Sequence, residues 1–451
     1  MEDTFKIIFD GIEEKKQIVL DAERHIWKHP ESGYKEWKTH AYLKERYEEL
    51  GYTLHEMGDI PGFYTDVDTG REGPTVAIFG ELDSLVIPEH PECDKETGAV
   101  HACGHNCQSA GLLGVAIGLK APHALDALCG RIRLIAVPAE ELIETDFRYD
   151  LMKKGIIHYL CGKPEFIYRG VLDGVDMAMM LHAGGGDKLT CPKGSNGFML
   201  KTAEFIGKSA HAGGSPQNGI NALYAANTAM TAANALRETF VDNEHIRFHP
   251  IISEGGTSIN AIPNRVKLES YLRGATVEAI KTNSVKINRA FAGAAVAMGC
   301  KLILKDAHGA APRYNDTNFL DVLTEAGKML LPEDRVVMSD GFATGCSDMG
   351  DVSSLMPAIH PHIGGVIGIG HGTNYFIKDP YLTCVVGAKV LAATAALLLI
   401  NGAEKAKNVI ANKKIVYQSK EEYLKAIDSI TAEYDVVKYT SEGSAELKYS
   451  N

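Results

Sequence analysis

The sequence is short of positive charge. Its 46 Lys and Arg are outnumbered by 58 Asp and Glu, for a formal net charge of −12. That balance excludes the basic face on which general nucleic-acid binding relies. A leader is lacking too: the opening MEDTFKIIFDGIEEKK has no charged stretch followed by an apolar run. So is a cysteine framework. The nine cysteines are widely spread and odd in number, which argues against a disulfide scaffold in so long a chain and for a reducing, cytoplasmic setting. Only Tyr381–Ile400 approaches a membrane span in length and apolarity. It contains Lys389 among its alanines and reads as a buried core helix, so no membrane association is expected. Internal repeats and low-complexity tracts are absent.

What is present is the composition of a core-forming protein, 45% hydrophobic and 23% charged over 451 residues. That length predicts two or three domains. Residues 4–28 read as an amphipathic helix, followed by a loop and a second helix that Gly51 would stop. Apolar runs at Thr75–Phe79, Ile132–Val137 and Val175–Leu181 are continuous, as in buried parallel strands. The Gly-, Ala- and Leu-rich stretch Ser109–Leu119 suits a crossover helix between the first two, so an α/β architecture with a mostly parallel central sheet is expected. The style changes near 195. Strands at Phe198–Phe205, Ile246–Ser253, Val266–Leu272 and Lys301–Lys305 alternate with helices at Ile220–Phe240 and Val277–Met298. This βαββαβ order is that of a ferredoxin-like α+β domain. After 310 the helix–strand style resumes with Phe319–Leu331, Val366–Ile369 and the Tyr381–Ile400 helix. The reading is a catalytic domain of residues 1–193 and 310–401, an inserted lid of 194–309, and a C-terminal extension of 402–451 forming a helix and a frayed tail.

Polar residues of metal-ligand type follow the apolar strands, where open α/β sheets place their sites. They are Gly80-Glu81-Leu82-Asp83, Pro138-Ala139-Glu140-Glu141, His182, and Gly370-His371-Gly372, with the cluster His101-Ala102-Cys103-Gly104-His105-Asn106 between the first two. Cys, His and carboxylate together suit zinc or a neighbour in its series. Cys103 and His105 flank one glycine, so a short loop presents both to one point. A single Cys or His is ordinarily packing or surface, and a Glu pair is often a solvated helix start. Recurrence at successive strand ends raises the ligand reading to parity with these; spacing alone takes it no further.

The segments HPESGYKEWKT, GELDSL, HACGHN, VPAEE, DMAMMLH, GKSAHAGGSPQNGINAL, GGTSINAIPN, CSDMGDVS and GHGTNYF resemble the dinuclear metallopeptidase and amidohydrolase family. That family includes aminoacylases, auxin-conjugate hydrolases, glutamate carboxypeptidases and p-aminobenzoyl-glutamate hydrolases. The resemblance runs from about residue 20 to 400, and its HACGHN and DMGDVS forms are most similar to the p-aminobenzoyl-glutamate hydrolase and aminoacyl-dipeptidase branch. It implies Cys103, His105, Glu141, His182 and His371 as ligands of two divalent ions, with zinc or manganese foremost and nickel or cobalt as alternatives. Cys103 is the candidate bridge and Glu140 the general base. The implied reaction is hydrolysis of a small amide substrate, an N-acyl-amino acid or amino-acid conjugate, with a dipeptide or carboxypeptidase substrate as the alternative.

Some positions depart from the family pattern. Glu81 stands where peptidase members often carry a His ligand, and with Asp83 it is read as orienting a ligand rather than binding metal, though weak ligation or a capping role remain open. Asn106 and Gln108 replace an Asp and a His of the auxin-conjugate branch. Ile156–Gly170 looks like an insertion that either edges the pocket or merely elaborates the surface. The resemblance also implies that His211 stabilises an oxyanion across a homodimer formed through the lid. It places Asn260 and Arg273 against substrate oxygens, although Arg273 reads almost equally well as an exposed charge at a strand end. His360 and His362 read as loop residues, and the remaining cysteines, Cys107 included, as small buried apolar groups. A metal-bearing binding protein without turnover is the rival from another class; such a protein should lack the base, and Glu140 is present.

Overall fold

The structure, a computed structural model, describes residues 2–449. It divides into two compact units. The first comprises Met1–Gly194, Arg313–Ala343 and Asp348–Lys420; the second comprises Ser195–Pro312, Thr344–Ser347 and Glu421–Asn451.

The first unit is built on a six-stranded sheet in the order His55–Glu56, Phe63–Asp68, Arg131–Val137, Thr75–Glu81, Met177–Met180, Ala358–Ile359. The last four run parallel, and the first two are antiparallel additions. Every residue of Thr75–Glu81 is buried, which is why its sequence is a continuous apolar run rather than an alternating one. The crossover helix His105–Leu119 is buried along its whole length. Its glycines allow this: a Cβ at Gly114 would lie 2.7 Å from Ala388 Cβ, and one at Gly118 2.7 Å from Ile12 Cγ1. The helices Glu2–Glu14, Lys16–Lys28 and Gly387–Leu399 can therefore approach closely. The expected 4–28 helix is two helices, parted at Lys15 with φ −108 and ψ 16. Tyr381–Leu399 is, among the described residues, the one helix long and apolar enough to cross a membrane. Its mean hydropathy is 2.1, and 89% of the apolar window is buried in the protein.

A second sheet carries Leu189–Ser195, His362–Ile367 and His182–Gly185. The strand expected at Val175–Leu181 is correspondingly shorter. It ends at Met180, and His182 opens the next strand instead of closing this one. His362 likewise begins a strand and pairs with His182.

In the second unit Gly197–Ile206, Arg247–Glu254, Arg265–Gly274 and Lys301–Ala310 alternate with the helices Ala222–Ala235 and Val277–Met298. Asn221 caps the first helix by accepting from the Leu223 and Tyr224 amides, and Thr276 caps the second by accepting from Ala279. The buried stripe of the first is Ala222, Ala225, Ala226, Ala229 and Ala233, packed into the core of its own unit. Leu223 and Met230 are only half-buried.

The sheet has six strands rather than four, because the C-terminal extension is not a frayed tail. Ala432–Tyr439 pairs antiparallel with Lys301–Ala310, and Ala445–Leu447 pairs with it in turn. The cause is legible in the segment's alternation: Tyr434, Val436 and Val437 are buried in the core, and Asn288 Nδ2 donates to Tyr434 Oη at 2.7 Å. Residues up to Lys420 belong to the first unit and those from Glu421 to the second, so 402–451 is not a separate piece.

Candidate metal centre

The parallel register brings the strand ends together. Glu81 stands beside Val137, and Phe79 beside Met180. The residues following each strand therefore emerge at one edge. Cys103 lies just before the N-terminus of the His105–Leu119 helix, where the helix dipole favours a thiolate. Gly104 between the two donors has φ 85, and a Cβ there would fall 2.4 Å from Tyr375 Oη and 2.7 Å from Ala183 Cβ. Only glycine suits that position.

The turn bearing Glu140 and Glu141 starts at Ala139, whose φ is 59. It is braced from behind. The Ala139 amide donates to Glu36 at 2.8 Å, and its carbonyl accepts from Gly162 at 3.1 Å. The buried Arg148 donates to Leu160 O at 2.6 Å and to Glu141 O. Ile157, Leu160, Cys161, Phe166 and Ile167 are buried in this bracing. Most apolar residues of the 156–170 segment are therefore core rather than surface elaboration, although Tyr168 stays exposed.

Ligand atoms of Cys103, His105 and His182 lie within 4.8 Å of one another, as do those of Cys103, Glu141 and His371. The two sets share one sulfur, and a thiolate between them could serve an ion on either side. Cys103 Sγ is 3.5 Å from His182 Nε2, and His371 Nε2 is 3.1 Å from Glu141 Oε1. The imidazoles are oriented for this purpose. His105 Nδ1 donates to Asp83, whose carbonyl O and Oδ1 both lie at 3.0 Å, and His182 Nδ1 donates to Ala183 O at 2.7 Å. Each Nε2 is thereby turned toward the donor cluster, that of His182 to Cys103 and that of His105 to Glu81. Asp83 also accepts the Glu141 amide at 2.9 Å, tying two residues of the donor sets to one carboxylate.

His105 Nε2 is buried and makes no well-aligned hydrogen bond among the described residues, although Glu81 Oε2 lies 3.0 Å away. A divalent cation would complete this set of buried donors. Electrostatics agree. Burial and Glu141 push the Cys103 thiol up, but His105 and His182 outweigh them and bring it down to about 6. Hydrogen bonds that His371 donates to Cys103 and Glu141 lift its pKa to about 11. Glu140 is pushed well above the usual carboxylate range by burial and by Glu81, Glu141 and Asp348. Cations held by the neighbouring donor sets would offset that repulsion and leave Glu140 ionised, as a base must be.

Glu81 faces His105 Nε2 at 3.0 Å through Oε2, which also accepts from Gln108 at 2.7 Å. Its Oε1 takes the ammonium of Lys163 at 2.5 Å, and Lys163 pairs with Asp348 as well. Burial would raise Glu81; Lys163, then His105 and His182, overcome it and hold it ionised. Lys163 and Asp348 were missed in the sequence, although a lone lysine inside LCGKPEFIY and the unassigned Asp of CSDMGDVS were visible signals. His360 lies in the short connection after Ala358–Ile359, as read, whereas His362 opens the strand His362–Ile367 and is not a loop residue. Both rings pack on His182, at 5.6 and 5.2 Å between centroids, and Arg313 donates to His360 Nδ1. Burial and Arg313 keep His360 neutral, and burial and His182 do so for His362. The pair forms a wall that fixes the His182 ring.

His211, Asn260 and Arg273 belong to the second unit. His211 is exposed and next to Asn260: it bridges Ala261, and the Ala212 amide donates to Asn260 O at 2.9 Å. Its Nδ1 accepts the amides of Gly213 and Gly214 at 3.1 and 2.9 Å, so Nε2 carries the proton. Arg273 is half-buried, donates to Cys346 Sγ at 3.2 Å and lies over the rings of Tyr271 and Phe198.

Residues 74–397 match Peptidase family M20/M25/M40 over well more than half of the chain, a span holding both cysteine-sharing donor sets and Glu140. The chain belongs to this peptidase family. Curated proteins are similar to it along most of their length. Mouse Xaa-Arg dipeptidase is 27% identical over 410 residues, covering 86% of each chain. N-acetyl-L-cysteine deacetylase of Bacillus subtilis is 29% identical over 330 residues, 69% of this chain and 72% of its own. Among solved structures, a dinuclear metal binding peptidase of the M20 family from Bacillus subtilis superposes with a TM-score of 0.61 at 22% identity, covering 84% of this chain and 97% of its own. As an M20/M25/M40 member the protein is a hydrolase of amide or peptide bonds, and the motif resemblance carried by HACGHN and VPAEE is to this same family.

Proposed function

We propose that the protein hydrolyses the amide bond of an N-acyl-amino acid or amino-acid conjugate, using water activated between two divalent ions. The observation that carries this is the pair of donor sets sharing Cys103, with Glu140 beside them. Cys103, His105 and His182 would hold one ion and Cys103, Glu141 and His371 the other. The mixed thiolate, imidazole and carboxylate donors suit zinc, with manganese, nickel or cobalt as alternatives. When bound, the ions lower the pKa of a water and polarise the scissile carbonyl. Glu140 accepts the proton of the attacking water and delivers it to the leaving nitrogen. Asp83 holds the His105 tautomer and the Glu141 backbone, and Glu81 supports His105 from the other side.

The second unit is read as a ferredoxin-like lid that also forms a homodimer. Its strand Arg247–Glu254 is a sheet edge that pairs on one side only and exposes Ile251, and such an edge invites pairing. His211 would present Nε2–H to the developing oxyanion of the partner's site, with Asn260 and Arg273 toward substrate oxygens. The odd and widely dispersed set of nine cysteines supports a reducing, cytoplasmic setting. A dipeptide substrate is the second reading, favoured by the even, 86% coverage shared with the Xaa-Arg dipeptidase. Acyl-amino acids, dipeptides and aminobenzoyl-glutamate, each offered with Zn²⁺, Mn²⁺, Ni²⁺ and Co²⁺, distinguish the cases. Turnover of the acyl-amino acids or the conjugate above the dipeptides supports the first reading, the reverse ranking supports the second, and no turnover by metal-loaded protein would leave a binding protein.

A further inference from the structure

Beyond the two sets that share Cys103, a third group converges: Glu81, His105 and Glu140 also bring ligand atoms within 4.8 Å of one another. An ion there would compete for His105 Nε2, because an imidazole nitrogen has one lone pair to give. Its two carboxylates, Glu81 and Glu140, would attract such an ion, and the buried Asp348 stands across one cation from Glu81. That cation is a side chain. Lys163 is 0% exposed. Its Nζ meets Glu81 Oε1 and Asp348 Oδ1, and its amide donates to Asp348 Oδ2 at 2.9 Å. Gln108 occupies the other Glu81 oxygen. The helix Gly162–Tyr168 reaches this depth because residue 162 is glycine; a Cβ there would fall 1.7 Å from Pro138 O.

We propose that Lys163 is a resident cation that fills the carboxylate pocket, excludes a divalent ion from the Glu81–His105–Glu140 set, and so reserves His105 for the ions at Cys103. It is a positioning residue, acting through Glu81, and the inference rests on the two-ion reading above. Removing one member of a buried ion pair leaves its partner uncompensated. In Lys163→Met, Glu81 and Asp348 would therefore recruit a cation from solution.

The test uses full-length protein loaded with Zn²⁺ or Co²⁺ and dialysed. Metal content is measured by elemental analysis, and the thiolate-to-cobalt absorption band reports on Cys103. Wild type should hold about two ions and K163M about three, with the band per cobalt reduced by about a third because the added ion has no thiolate ligand. The double variant Lys163→Met with Glu81→Gln should return to about two ions and the original band, since the third set has lost a carboxylate. Folded K163M with unchanged metal content and band overturns the proposal. Should K163M fail to fold, Glu81→Gln alone decides. Retention of both ions and the band shows Glu81 held off the metal, whereas loss of an ion makes it a ligand and overturns the proposal. Wild type without two ions or without a thiolate band sinks the two-ion reading itself, and the proposal falls with it.

Discussion

Glu140 and Glu141 are adjacent in the chain and assigned opposite duties, so replacing each with glutamine separates chemistry from metal binding. Glu141 lies in a donor set with Cys103 and His371, while Glu140 lies in neither set that contains Cys103. Glu140→Gln should keep both ions and lower kcat by about 10²- to 10⁴-fold, the range for a positioned acid–base group. That corresponds to about 2.7–5.4 kcal/mol of transition-state stabilisation at about 1.36 kcal/mol per decade. Stability should move the other way. Burial and the carboxylates of Glu81, Glu141 and Asp348 raise Glu140 in the folded, metal-free protein. A carboxyl raised on folding costs stability increasingly as pH rises above its unfolded value, about 4.3. Metal-free Glu140→Gln should consequently melt at or above the wild-type Tm near pH 7, with the difference shrinking toward pH 4. Glu141→Gln breaks the 3.1 Å pairing with His371 and removes a charged donor, so it should lose metal on dialysis. Hydrolysis rates, metal content and melting curves on the same preparations provide the check. If Glu140→Gln lost metal while Glu141→Gln kept both ions and lost only kcat, the division of the pair would be refuted.

Three other outcomes are expected. Cys103→Ser should lower metal retention, whereas Cys107→Ser, altering a buried thiol that belongs to neither donor set, should not; equal metal content in the two would contradict the assignment of Cys103. Metal uptake near pH 7.5 should expel a proton from His371, which is held protonated to about 11, and none from Cys103, already a thiolate above about 6; below pH 6 affinity should fall as protons compete for the sulfur, and a pH-stat titration showing no proton release would contradict this. Mixing His211→Ala with Glu140→Gln under subunit exchange should restore about a quarter of wild-type activity, since half the dimers are mixed and each has one intact site; no recovery despite proven exchange would place His211 in its own chain's site or outside the mechanism.

Much of the site could be read without coordinates, and the reason is local. Cys103 and His105 flank a glycine, Glu140 and Glu141 are neighbours, and each group follows an apolar run that only a buried strand explains. Short-range spacing and periodicity fix such features, whatever the rest of the chain does. The family resemblance added His182 and His371, which spacing left at parity with ordinary packing. What the sequence could not decide depends on residues far apart in the chain. Lys163 meets Glu81 and Asp348 across separations of 82 and 185 residues, and its apolar surroundings in LCGKPEFIY do not by themselves name those partners. His362 looked like a loop residue beside Pro361 until strand pairing set it against His182. The strand Ala432–Tyr439 joins its sheet only because Lys301–Ala310 offers an open edge. Hydrogen-bond registry and the compensation of buried charge are properties of assembled surfaces, and the tertiary structure alone settles them.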